Sequence, residues 1–316
     1  MKPACRSRSV RIGGSTVAQT PLPLPAFSSK ALKSNLADTA KRIGEIVFGP
    51  ILISAFDLHG GHLVGVEQGK LVFDCPLTFI DSGGYENLLH VDHPDKRLTV
   101  EQHRAVLDAW PQQSLAVAVN HDRPSDDVAE QIEAAASLGP GRMLGRELLL
   151  KPSENVSVSG LISQLSRQSK DLARIDVIGL TEKEAGPSLV DLLRTIASLR
   201  KQLDTTGFDY MPIHIFGGLD PVRTPLYFLA GADIFDGLSW LRYGFEAGCA
   251  VYLSALAALK HPRVPLVDAE WLVRQSNFFE ITKMQTAMRK YMATQDPKDL
   301  HESGNFFLSI LNDIDV

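Results

Sequence analysis

Seven short apolar runs punctuate the chain between residues 50 and 235, and the longer gaps between them carry stretches with helical spacing. The runs lie at residues 50–55, 77–80, 115–119, 146–150, 174–178, 212–216 and 232–235. Runs of this length, rich in Ile, Val and Leu and bounded by turn formers, read as buried strands, and strands alternating with helices are the signature of parallel βα units. The intervening helix is clearest over 188–203, where Leu189, Leu192, Leu193, Ile196, Leu199 and Leu203 share one face and Ser188 can cap the start. Others read at 126–138 and 223–230. No Gly/Ser- or Pro-rich spacer divides residues 48–260, which favours one closed barrel over two domains. The pattern predicts an α/β fold, a TIM (β/α)8-type barrel, with an eighth strand that periodicity does not reveal.

Residues 9–27 alternate and turn, and they predict a β-hairpin before the barrel, with the prolines keeping it at an edge. The barrel with this hairpin is assigned residues 9–262, and residues 263–316 form a helical C-terminal extension packed on it, most clearly helical over 266–293. Residues 1–8 read as a basic tail. Lys2, Arg6, Arg8, Arg11, Lys30 and Lys33 all precede the first acidic residue, Asp38, a composition that suits a solvated tail or, alternatively, an organelle transit segment. The net charge of −5 gives no global attraction for nucleic acid, although the basic start could meet phosphates. No apolar run approaches the roughly 20 residues a membrane helix requires. Cys5, Cys75 and Cys249 form neither a disulfide framework nor a metal pair, which favours a reducing, cytoplasmic setting.

The unusual residues fall at one end of the strands. Asp81 follows the second run, Asp122 the third, Gly179 and Leu180 the fifth, Gly217 and Gly218 the sixth, and Asp236 the seventh. These are C-terminal ends, the face on which barrel enzymes assemble their sites. Each residue alone has an ordinary reading as a turn or cap. As a set, a ring of carboxylates and close-approach glycines around one barrel mouth points to chemistry. The histidine pairs His59/His62 and His90/His93 lie in loops without an evident third ligand and read as solvated, while His214, inside an apolar run, reads as a core residue. Gly217-Gly218 lacks the patterns that cradle a nucleotide's phosphates.

The segments RIGG and TPLPLPAF (within 11–27), FIDSGGYE (79–86), VNHDRP (119–124), DVIGL (176–180), PIHIFGGLDP (212–221) and GADIFDGLSWLRYGFEAG (231–248) are similar, in order and spacing, to the tRNA-guanine transglycosylase superfamily. The archaeal-type and DNA 7-deazaguanine branches are closer than the bacterial queuine-type enzymes, and the resemblance spans residues 9–248. It implies a TIM barrel with an N-terminal hairpin, and exchange of guanine in a nucleic acid for a free 7-deazaguanine without cutting the sugar-phosphate chain. It assigns Asp236 as nucleophile, Asp81 as general acid/base and Asp122 as reader of the purine edge, with Gly179 and Leu180 as backbone contacts to the base. Tyr85 is placed to stack on that base or to pack at the rim, and Gly217 and Gly218 allow close backbone approach. No cofactor is implied. The partners implied are tRNA, slightly preferred, or DNA, together with the free base, and a second copy or partner subunit is compatible.

The chain also departs from the family. The structural zinc set is missing, with Ser276-Asn277 where a histidine would precede the asparagine, so no metal is expected. Glu86 replaces a glutamine, Leu150-Lys151-Pro152 replaces a base-reading Gln-Gly, and Ser239-Trp240-Leu241-Arg242-Tyr243 stands in place of an arginine signature, leaving Arg242 as a phosphate contact or a solvated residue. The same carboxylates would also serve an N-glycoside hydrolase, and a barrel that only binds nucleic acid or a partner is the non-catalytic alternative.

Overall fold

The computed structural model describes residues 2–32, 36, 49–61, 75–87, 90, 92, 93, 96–110, 114–138 and 144–314; Lys33, Asp38 and His62 lie outside the described residues. A hairpin of β1 (Ser9–Ile12) and β2 (Ser15–Gln19) precedes β3 (Leu22–Phe27). Then follow β4 (Ile51–Ser54), β5 (Thr78–Asp81), β6 (Ala116–Val119), β7 (Leu144–Leu149), β8 (Val177–Thr181), β9 (Ile213–Phe216) and β10 (Ile234–Gly237). Strands β3 to β10 close in sequence order into a barrel in which every neighbouring pair is parallel and β10 seals against β3.

The eighth strand is β3, which sequence reasoning had folded into the hairpin. The hairpin is only Ser9–Gln19, and LPLPAF is a closing strand of the barrel rather than an edge. Proline is tolerated there because strand N–H groups point alternately to the two neighbours. Leu22 N–H donates to Asp233 on the β10 side, so Pro23 and Pro25 face β4, where pairing starts only at Ala26 and Phe27. A second shift concerns the fifth run. The turn in which Ile175 N–H donates to the Leu172 carbonyl delays β8 to Val177, so Gly179 and Leu180 lie inside that strand. Asp236 likewise lies within β10.

Period-two alternation divides each strand between two environments. Leu24, Leu52, Phe79, Val117, Leu149, Val177, Phe216 and Ile234 form one interior cluster, while Ile178, Leu180, Ile213, Ile215 and Phe235 pack outward against the helices. The helix Leu189–Thr205 covers that outer face with the leucine stripe read from the sequence, and Ser188 Oγ accepts from Asp191 N–H at 3.2 Å as its cap. Val10 and Ile12 join the interior cluster, so the hairpin plugs the N-terminal end of the barrel.

The basic start is not a solvated tail. Arg8 is buried, its Nη1 2.8 Å from Asp233 Oδ1, while Arg200 Nη2 lies 2.8 Å from Asp233 Oδ2. Arg6 pairs with Asp204 at 3.0 Å. These arginines lie beneath the barrel, at the end opposite the carboxylates. At the other flank the 29-residue helix Leu266–Thr294 reaches from the segment after β10 to the residue before β3. Its Gln285 donates to the Pro21 carbonyl at 2.8 Å, and its buried Asn277 donates to the carbonyls of Trp240 and Tyr243 and accepts from Phe245 N–H. Among the described residues no helix is long and apolar enough to cross a membrane.

Asp233→Ala removes the counter-charge of buried Arg8 and leaves buried Arg200 with only Asp204 at 3.6 Å, and breaking a buried pair in this way costs about 3–5 kcal/mol. A urea unfolding midpoint well below that of the parent protein is the expected result; an unchanged midpoint would show that the floor does not depend on this network.

Candidate active site

A cavity of about 450 Å3 opens at the C-terminal end of the barrel, and Asp81, Asp122, Asp236, Tyr85 and Gly217 all line it. Gly179, Leu180 and Gly218 do not. Leu180 points outward into the helix-facing core. Gly179 is inward but covered, since a Cβ there would meet Phe216 Cε2 at 2.6 Å and Glu147 Oε1 at 2.9 Å. Gly218 faces Ile215. The cavity floor is apolar and made by Ala26, Leu52, Leu149 and Phe216.

Asp81 ends β5 and meets three other carboxylates. Burial first, then Glu86, Asp122 and Asp236, push its pKa up to about 8, against a smaller opposing bond from Ser82 N–H. A carboxyl in that range carries a proton at neutral pH and can donate it. Glu86 is buried too; burial raises its pKa, and the hydroxyls of Ser28 and Ser54, the latter at 2.9 Å, donate to it in partial opposition. The glycines after Asp81 are steric requirements. Gly83 has φ +81°, and a Cβ on Gly84 would fall 2.1 Å from Asp122 Oδ2. Glycine thus lets the turn after β5 lie directly against the loop after β6.

Asp236 is held by one oxygen. Gly217 N–H, in a turn with φ +81°, donates to Oδ1 at 2.9 Å, and His214 Nε2 lies 3.3 Å from the same oxygen, in charge contact but off the hydrogen-bond line. His214 Nδ1 in turn lies 2.8 Å from Glu147 Oε1. Burial by itself would lower the pKa of His214, but Glu147 and Asp236 outweigh it and raise it to about 9. The ring stacks on Phe216 at 4.0 Å between centroids and meets Phe79 edge-on. His214 is the buried core residue expected, and its ring bridges Asp236 and Glu147, the latter absent from the residues expected at the site. The signal was present: within RELLL, period two puts Glu147 on the same inward face as Leu149.

Asp122 is not alone. Lys151 Nζ lies 3.0 Å from its Oδ1 and 2.6 Å from Glu184 Oε1, so the cavity offers an acceptor and a cationic donor side by side. Tyr85 is pinned at the rim, with Lys30 Nζ 3.6 Å from its ring centroid and Arg242 donating to its hydroxyl at 2.8 Å. One ring face is thus occupied by a cation. Among the described residues no three His, Cys, Asp or Glu side chains converge to hold a metal ion; His59 is exposed and the His90 ring stacks on Phe56. A scan against protein-family models finds no match to the chain, and a search of curated proteins finds none either.

The raised pKa of Asp81 links stability to pH. Its folded value lies above that of an unfolded aspartate, so the folded state holds the proton more tightly; this contribution is complete in acid and is lost as pH rises through about 8. Asp81→Asn removes that loss, and at pH 9 the variant is expected to exceed the parent in unfolding free energy by roughly 1–3 kcal/mol. Parallel pH dependences of the two proteins between pH 4 and 9 would show that Asp81 ionises normally.

Proposed function

We propose that this barrel exchanges guanine in a nucleic acid for a free 7-deazaguanine through an aspartyl-glycosyl intermediate. The observation that carries the reading is a cavity holding two carboxyls in opposite settings: Asp81 set among other acids, which favours its protonated form, and Asp236 with its Oδ1 3.3 Å from the His214 ring. An acid and a nucleophile facing one space are what double displacement at an anomeric carbon requires. An apolar floor under them suits a flat base lifted from its stack.

In the first half-reaction a carboxylate oxygen of Asp236 bonds to C1′ as the C1′–N9 bond breaks. The bonding pair stays with the departing guanine, which takes the proton held by Asp81. In the second, ionised Asp81 takes the N9 proton of the incoming base, N9 attacks C1′, and the C1′–O pair returns to Asp236. Two inversions retain the β configuration. Asp122 accepts from the N1–H and exocyclic amine of the purine, and Lys151 beside it donates to O6, a donor-acceptor order that adenine does not match. Lys30 and Arg242 at the rim suit a backbone phosphate. A tRNA substrate is the preferred reading and DNA the alternative.

Asp236→Ala is expected to lower incorporation of labelled guanine into tRNA or DNA by at least about 1,000-fold and to abolish the trapped covalent adduct. Undiminished exchange in the variant would remove Asp236 from the mechanism. Nucleoside mass spectrometry of the products separates transfer from hydrolysis, which leaves free guanine and an abasic site.

A further inference from the structure

We infer that Glu147 and His214 form a buried positioning relay that fixes Oδ1 of Asp236 and leaves Oδ2 as the attacking atom. This rests on the reading of Asp236 as nucleophile. Both recorded side-chain contacts of Asp236, from Gly217 N–H at 2.9 Å and His214 Nε2 at 3.3 Å, fall on Oδ1. A carboxylate with one oxygen tied to a backbone N–H and drawn by charge to the His214 ring cannot rotate freely, so the other oxygen meets C1′ from one direction.

The relay has the features of a built device. Glu147 and His214 are fully buried, and neither sits at the cavity surface. The groups facing His214 are Glu147 from β7, Asp236 from β10, the Phe79 ring from β5 and Phe216 from its own strand. Two carboxylates beside opposite ring nitrogens favour the doubly protonated imidazole, which is hydrogen-bonded to Glu147 at Nδ1 and attracted by charge to Asp236 at Nε2. Gly179 belongs to the same device, because any side chain there would strike Glu147 and Phe216. A salt bridge kept only for stability would gain little in this position, since burying charges costs about as much as their attraction returns. Beneath the carboxylate at the centre of the chemistry, the same pair orients the reacting group.

The test combines a spectroscopic and a kinetic measurement on the intact chain. Imidazole 15N NMR should show His214 doubly protonated through neutral pH, titrating near 9, with Asp236→Asn or Glu147→Gln moving that titration down. A singly protonated His214 at pH 7 in the parent protein overturns the relay, whatever the activity. His214→Leu should lower kcat for base exchange on the order of 100-fold while KM for the free base stays within about threefold. His214→Gln, which keeps a donor, should recover about tenfold of that loss. A folded His214→Leu protein with parental kcat, or with its loss confined to KM, also overturns the proposal. A parent protein with charged His214 but no exchange on any tRNA or DNA defeats the transglycosylase reading while supporting the relay.

Discussion

The lumen of an eight-stranded barrel is only wide enough for the side chains that fill it, so every ionisable residue on an inward position must find a counter-charge inside or remain neutral. This chain uses both solutions within one space. Glu147, His214 and Asp236 stand on inward positions of β7, β9 and β10 and compensate one another across the lumen. Asp81, inward on β5, is surrounded by Glu86, Asp122 and Asp236, and the proton it retains is the alternative to a fourth negative charge. Two aspartates at the same end of the barrel thus stand in opposite electrostatic settings set by their neighbours.

That division depends on backbone placement, and the placement is secured from outside the lumen. Gly83, Gly84, Gly179 and Gly217 admit approaches that any side chain would block or strain. The seam between β3 and β10, where the chain's first and last barrel strands meet, is the point at which Asp236 could shift. It is braced below by Asp233 between Arg8 and Arg200, and above by Trp240, whose indole N–H donates to the Ala26 carbonyl at 3.1 Å. The helix Leu266–Thr294 is bonded to the residue before β3, and Asn277 ties the segment after β10 to it. The C-terminal extension is therefore bonded to the segment that follows Asp236 without lining the cavity.

The barrel was legible because buried parallel strands are short apolar runs, and seven of them stand out. The eighth was hidden by Pro23 and Pro25, which ordinarily signal an edge; only the strand order shows that their missing N–H groups face the sparsely paired side. Asp81, Asp122 and Asp236 were legible because carboxylates at strand ends break an apolar pattern. His214 and Glu147 break it too, but inside the run, where a single polar residue reads as a satisfied core position until the partner strand is known. Arg8 misled in the opposite sense. A basic residue near a terminus looks solvated, and its partner Asp233 lies 225 residues away.

The distribution of charge bears on how a polymer could be held. Arg6 and Arg8 are neutralised beneath the barrel, and a Debye length of roughly 8 Å at physiological salt prevents them from acting across it. At the mouth, Arg223 is engaged by Glu182, and Lys151 by Asp122 and Glu184. Lys30, Lys183 and Arg242 form no ion pair among the described residues, and Lys30 and Arg242 flank Tyr85. Each neutralised phosphate contributes a salt-dependent increment to affinity, which these cations at the mouth are free to supply. Inside the cavity, Asp122 and Lys151 present an acceptor and a cationic donor side by side over an apolar floor, the groups that the proposed reading uses to select a base. On the proposed reading, such a site would hold its substrate through the base in the cavity as well as through the backbone at the rim.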